Sequence, residues 1–271
     1  MVSTATIICV AISLLVSVGL PMVVLAVFAA KHKKQGIVSA WLLGAAGFFV
    51  TQILIRIPIL TVLQSQSWFV DLAANHLAVY GFVLAFTAGL FELAGRFVVA
   101  KLLNRKGVNF DRSLAAGLGH GGIEAILIAG IAMVNNLAYI AMINGGTFDE
   151  TLAMAASMGV DVSQLELIKE QLLTYTPALF LLGGFERILA MTAHAAMSML
   201  VCYGVTHGKI LKCTLICLAI HTFIDFTAVL TAVLPQTTAY IIVYSILTAV
   251  AALSLWIVKE LRRRWNKEET L

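Results

Sequence analysis

The feature that most constrains this chain is a series of seven apolar runs, each long enough to cross a bilayer. They cover roughly 4–30, 37–63, 72–100, 113–143, 177–203, 211–233 and 238–258. A spanning helix needs about 20 apolar residues, because hydrocarbon offers no partner to an unpaired backbone N–H or C=O. Composition agrees. Of 271 residues, 61% are hydrophobic and 12% charged, whereas soluble domains carry about 45–50% and about 25%. Those values exclude disordered, collagen-like, coiled-coil and nucleic-acid-binding chains. The sequence predicts an all-α, polytopic membrane protein of one domain with seven transmembrane helices, termed spans 1 to 7. The first run has no basic residues ahead of it and is too long for the core of a cleaved signal peptide, so it reads as a retained span. Cys9, Cys202, Cys213 and Cys217 lie in or beside apolar runs and read as packing residues, not a disulfide framework.

Basic residues give the predicted orientation, because lysine and arginine accumulate in cytoplasmic connections. Lys31, Lys33 and Lys34 follow span 1. Lys101, Arg105, Lys106 and Arg112 follow span 3, and Lys209 and Lys212 follow span 5. The last run is followed by Lys259, Arg262, Arg263, Arg264 and Lys267. The opposite side holds only Lys169, within the acidic segment 144–176. The N-terminus is therefore predicted outside and the basic tail 259–271 in the cytoplasm. Segment 144–176 reads as an extracytoplasmic loop or lid with short helices over 149–158 and 161–173. Gly159 would be the break and Asp161 or Ser163 the cap. No internal repeat stands out, which weakens an inverted-repeat transporter.

Charged residues inside the spans are the informative anomaly. Arg56, Arg96, Arg187, Glu92, Glu124, Glu186, Asp225, His120, His194 and His221 all lie within apolar runs. Each charged group costs at least ~2.5–3.5 kcal/mol at a helix centre, so a set this large requires a shared, paired interior. Glu92 and Arg96, His120 and Glu124, His194 and Ser198, and His221 and Asp225 are each four residues apart, which puts each pair on one helix face. At ~1.5 Å rise per residue, Glu92, His120, His194 and His221 all lie about 12–15 Å from the basic connections. Glu124 and Asp225 lie a turn deeper. Four spans, 3 to 6, thus place histidine or carboxylate in one layer. Glu186 and Arg187 fall nearer the opposite face, where an Arg56–Glu186 ion pair is expected. His76 reads as interfacial, and His32 and His207 as loop residues.

Three histidines with two or three carboxylates can hold a catalytic divalent metal, zinc being the first candidate, with one position left for water. His120 and His221 would supply two ligands, and His194, Glu124 or Asp225 a third. A glutamate acting as general base without a metal is the alternative chemistry. The short H-E-x-x-H zincin motif is absent. Ser198, one turn after His194, offers a weak nucleophile. Three function classes follow: a hydrolase, a proton- or ion-coupled transporter, and a non-catalytic scaffold or immunity-type protein.

The segments F91-E-L-A-G-R96, G119-H-G-G-I-E-A125, E186-R-I-L-A-M-T-A-H194 with Ser198, and H221-T-F-I-D225 resemble the YhfC family of intramembrane metalloproteases. That family is a distant relative of the type II CAAX prenyl endopeptidases and of the gamma-secretase scaffold subunit that shares their fold. The resemblance implies an endopeptidase acting on a membrane-embedded or membrane-proximal peptide, with a site opening toward the cytoplasm. It implies Glu92 or Glu124 as general base and Arg96 as the partner that orients Glu92. His120, His194, His221 and Asp225 would serve as metal ligands or their supports. Glu92 is flanked by Phe91 and Leu93, whereas the wider superfamily often has two adjacent glutamates in this motif. The choice of base therefore stays open.

Overall fold

The computed structural model describes residues 1–32 and 36–268, with side chains as far as residue 265. Lys33 and Lys34, residues 269–271 of the predicted tail and the Lys267 side chain lie outside the described residues. Seven described helices are long and apolar enough to cross a membrane. They are span 1 (Thr4–Lys31), span 2 (Ile37–Leu63), span 3 (Leu77–Asn104), span 4 (Phe110–Gly145), span 5 (Leu179–Thr206), span 6 (Ile210–Val233) and span 7 (Gln236–Trp265). The chain is a multi-pass membrane protein whose outward apolar surface meets lipid. Span 5 differs from the rest: 78% of its apolar window is buried, against 11–22% elsewhere. Its polar side chains therefore face protein.

Three spans wind locally into π-helix, at Leu15–Gly19, Phe49–Arg56 and Ala125–Gly130. Such wider turns re-aim side chains within a helix and are frequent at functional sites. The second of them carries Gln52 and Arg56, and the third begins one residue after Glu124.

The chain packs as two compact units. One comprises residues 1–22 and 125–188, the other 23–124 and 189–271. The smaller unit is built on Val2, Val10, Ile140 and Leu172. Its segment 144–176 forms helices at Phe148–Ser157 and Ser163–Thr174, with Gly159 between them at a φ of 77°. Only glycine adopts that conformation without strain. The Ser163 N–H donates to Asp161 Oδ1 at 2.9 Å. That bond holds the Asp161 carboxyl below its ordinary value. Lys169 pairs with Asp149 across the two short helices.

In the larger unit, small residues let helices meet backbone to backbone. A Cβ on Gly44 would stand 1.8 Å from the Ala116 carbonyl oxygen, and one on Gly119 2.0 Å from that of Trp41. Spans 2 and 4 therefore touch along the turn that carries His120. A Cβ on Gly121 would lie 2.9 Å from the His194 Cβ, which brings span 5 against the same turn.

Two boundaries differ from the sequence reading. Span 3 does not start near residue 72. A separate helix, Ser67–Asn75, ends at His76, whose φ of −135° and ψ of 51° break the helical path before Leu77. Residues 259–268 also do not begin a separate tail, because the last helix runs through Gln236–Glu268. Leu261 and Trp265, one turn apart, are buried in the main core. Glu260 pairs with Arg263 and Arg264 on the exposed face.

Candidate functional site

Glu92 is the hub of the larger unit. Its carboxylate is buried in span 3, with partners from four other positions along the chain. Oε2 lies 2.7 Å from His221 Nε2 and 2.9 Å from His120 Nε2. Arg96, one turn along the same helix, donates Nη2 to Oε2 at 2.9 Å. Gln52 of span 2 donates Nε2 to Oε1 at 2.9 Å and to the Ala88 carbonyl at 3.2 Å. His194 closes the ring of groups. Its Nδ1 is 2.5 Å from Arg96 Nη2 and 3.6 Å from Glu92 Oε2, and its Nε2 is 2.7 Å from Glu124 Oε2. His221 Nδ1 is 3.3 Å from Asp225 Oδ2. The His120 and His194 rings stack at 5.4 Å between centroids, and those of His194 and His221 meet at 5.6 Å.

The structure thus brings Glu92, Arg96, His120, Glu124, His194, His221 and Asp225 into one network. Three other sequence candidates remain: Ser198, Glu186 and Arg187. Ser198 is buried, and its Oγ makes no hydrogen bond among the described residues, so no His194–Ser198 dyad forms. Glu186 and Arg187 pair with each other as chain neighbours within the smaller unit. Arg56, expected to pair with Glu186, belongs to the larger unit. It donates Nη2 to the Leu84 carbonyl at 2.7 Å and Nη1 to Gln52 Oε1 at 3.3 Å. The π-helical turns of span 2 place Arg56 behind Gln52, one hydrogen bond removed from Glu92. Gln52 itself escaped the sequence reading because it is uncharged. Its signal was present, four residues before Arg56 on the same helix face.

A small cavity of about 10 Å³ lies beside Arg96, His120, Ser198 and Cys202. A cavity of about 310 Å³ reaches Asp225 and Arg56 from the ends of spans 3 and 6 that are away from the basic connections.

Glu92, His194 and His221 each offer one ligand atom, and these atoms lie within 4.8 Å of one another. Two imidazoles and one carboxylate form a known catalytic zinc set with a fourth position open. With metal–ligand bonds of about 2.0–2.2 Å, tetrahedral ligand atoms stand roughly 3.3–3.6 Å apart, so the spacing fits after small side-chain shifts. His120, expected as a ligand, is not in this group, while Glu92, expected as base or partner, is. Asp225 contacts the far nitrogen of His221. A carboxylate in that position fixes a ligating histidine's tautomer and orientation.

The model of the YhfC intramembrane metalloprotease family matches residues 12–248, which contain every residue of this network. The chain belongs to the YhfC intramembrane metalloprotease family. A Bacillus subtilis (strain 168) protein described as uncharacterized membrane protein YhfC is 32% identical over 267 residues, covering 97% of this chain and 99% of the relative. No solved structure matches the chain. The YhfC family description implies a divalent metal, and the Glu92–His194–His221 donor set suits one.

Proposed function

We propose that this chain is an intramembrane endopeptidase that hydrolyses a peptide bond in or beside the bilayer with a divalent metal, zinc being the first candidate. The observation that carries the reading is the buried Glu92–His194–His221 donor set inside membrane-spanning helices. A divalent ion held there supplies Lewis acidity, which makes water a competent nucleophile at neutral pH and polarises a carbonyl. The remaining roles fall to side chains around the set. Glu124, whose side chain is 16% exposed and 2.7 Å from His194 Nε2, is the general base. It accepts the proton of the attacking water and returns it to the leaving amine. Membership of Glu92 in the donor set supports this choice between the two glutamates. Asp225 orients His221, Gln52 and Arg96 fix the two oxygens of Glu92, and His120 holds Glu92 Oε2 from span 4.

The proposed topology keeps segment 144–176 outside and the C-terminus in the cytoplasm. A membrane-impermeant thiol reagent should then label Ser163→Cys in intact cells, and labelling only after lysis would reverse the orientation. The test of function is metal content of the purified protein, measured beside cleavage of membrane-inserted model peptides with and without chelator. Loss of bound metal and of cleavage together is expected. Cleavage that survives complete metal removal would overturn the metal reading, and metal-loaded protein inert on every peptide would overturn the endopeptidase. The scaffold reading has one observation in its favour: the Arg96 guanidinium itself neutralises Glu92 and touches His194.

A further inference from the structure

The cavity of about 310 Å³ beside Asp225 is the strongest feature outside the network. Its walls come from the first twelve residues of span 3, Leu77 to Ala88, and the last part of span 6, Asp225 to Ala232. Glu92 follows Ala88 by one helical turn, and His221 precedes Asp225 by one turn, so the donor set begins where the cavity ends. Small side chains, Ala85, Ala88, Ala228 and Ala232, line much of it. Two charged groups meet at its inner end, Arg56 and Asp225.

We propose that this cleft between spans 3 and 6 binds an unwound stretch of a membrane-embedded polypeptide with glycine- or alanine-sized side chains, entering from the side away from the basic connections. The proposal rests on the endopeptidase reading and names its substrate class. An intact helix gains nothing from the charged inner end, because its backbone N–H and C=O groups are already paired within it. An unwound backbone exposes an N–H and a C=O per residue, and in hydrocarbon neither finds water. The inner end supplies both partners. The Asp225 carboxylate, 36% exposed, accepts an N–H. Arg56 bonds Leu84, Thr87 and Gln52 and, with five N–H donors, retains donors for a carbonyl. The alanines leave room for the substrate backbone, and Leu77, Tyr80, Leu84 and Val229 narrow the rest of the cleft against large side chains.

A second groove between the same spans, about 490 Å³ and lined by Phe82, Phe86, Leu218 and Phe223, has no charged group. It serves as the control surface. The experiment uses the full chain carrying Glu124→Gln, in phosphatidylethanolamine–phosphatidylglycerol vesicles. A photoreactive p-benzoylphenylalanine is placed at position 232 or at position 223. The probe is a biotinylated leucine-rich transmembrane peptide with a Gly-Ala-Gly-Ala stretch in its outer third, compared with an all-leucine version. Crosslinking from position 232 should favour the Gly-Ala peptide. Loss of one charge-assisted hydrogen bond through Asp225→Asn or Arg56→Met should reduce it about tenfold or more. Ala228→Trp, which fills the cleft and removes no hydrogen bond, should block it in a protein that folds normally. Equal crosslinking from positions 232 and 223, equal capture of both peptides, or no crosslink from 232 overturns the proposal. Because the readout needs no turnover, crosslinking without cleavage in the unmutated chain would sink the endopeptidase alone. Cleavage without crosslinking would sink the cleft alone.

Discussion

The two units treat charge in opposite ways. In the larger unit, Glu92 is bound by Gln52, His120 and His221 from distant parts of the chain, and Arg96 reaches His194 nearly a hundred residues away. In the smaller unit charge is settled locally. Glu186 pairs with its neighbour Arg187, and Lys169 pairs with Asp149 between two short exposed helices. A local pair requires only that two side chains be near in sequence and leaves each free to rearrange. A convergent network fixes several helices at once, and removing one member leaves the others buried and uncompensated. The larger unit is thus organised around one buried carboxylate, whereas the Lys169–Asp149 pair of the smaller one lies at its surface.

The largest effects should come from breaking the network at its carboxylates. Glu124→Gln keeps size and hydrogen bonding but removes the proposed base, so peptide cleavage should fall about 10²–10⁴-fold while folding is retained. Glu92→Gln should abolish cleavage and also bound metal, and it strips the buried Arg96 of its counter-charge. Breaking a buried pair typically destabilises by about 3–5 kcal/mol, so a lower unfolding temperature in detergent should accompany the loss. Full cleavage by both variants would return the network to a scaffold role.

Arg96→Met sharpens the comparison next. The Arg96 guanidinium contacts two of the three candidate ligands, Glu92 and His194. Without metal, its removal should destabilise the protein. It should also lower cobalt affinity about tenfold or more, the loss expected when a group that orients a metal's ligands is removed. A titration of the cobalt absorption bands reads this directly. Tighter cobalt binding would show instead that Arg96 competes with the ion for Glu92 and His194. Lys169→Met in the smaller unit should leave the titration unchanged.

What could be read from sequence follows the same division between local and convergent. Seven spans were legible because hydropathy and length are local properties. The Glu92–Arg96 and His221–Asp225 pairs were legible because helical periodicity fixes them. His120 and Glu124 show the limit. They share a helix face, yet His120 turns to Glu92 on span 3 and Glu124 to His194 on span 5. Periodicity gives the face, and only packing gives the partner. Arg56 lies toward the ends of spans 3 and 6 that are away from the basic connections, beside Leu84 and Thr87, but its bond to Gln52 could not be read from the sequence. Gln52, neutral and therefore inconspicuous, shows that a buried amide can matter as much as a charge. Gln52→Leu removes donors to Glu92 and to the Ala88 carbonyl. It should lower metal affinity and cleavage by about tenfold, the weight of one hydrogen bond to a charged group. Unchanged metal affinity would limit Gln52 to joining spans 2 and 3.

The smallest expected effect tests the locally settled side of the comparison. Asp161 is fully exposed and accepts the Ser163 N–H at the start of helix Ser163–Thr174, which holds its carboxyl below the ordinary value of 3.8. The folded value is the lower one, so the ionised carboxylate favours the folded loop. That contribution is fully present above the ordinary value and is lost as the pH falls through the lower folded value. The Ser163 amide resonance should therefore shift as the pH drops from about 5 to about 3, with a midpoint below that of an unfolded aspartate. Asp161→Ala should remove this dependence and loosen the first turn at every pH, because alanine leaves the Ser163 N–H without its carboxylate acceptor. Asp161→Asn retains a carbonyl acceptor and should keep the turn at both pH values. Neither change should alter cleavage or metal binding, since Asp161 acts only on its own turn. A loss of metal from Asp161→Ala would show that the smaller unit is coupled to the network and would break the contrast between the two.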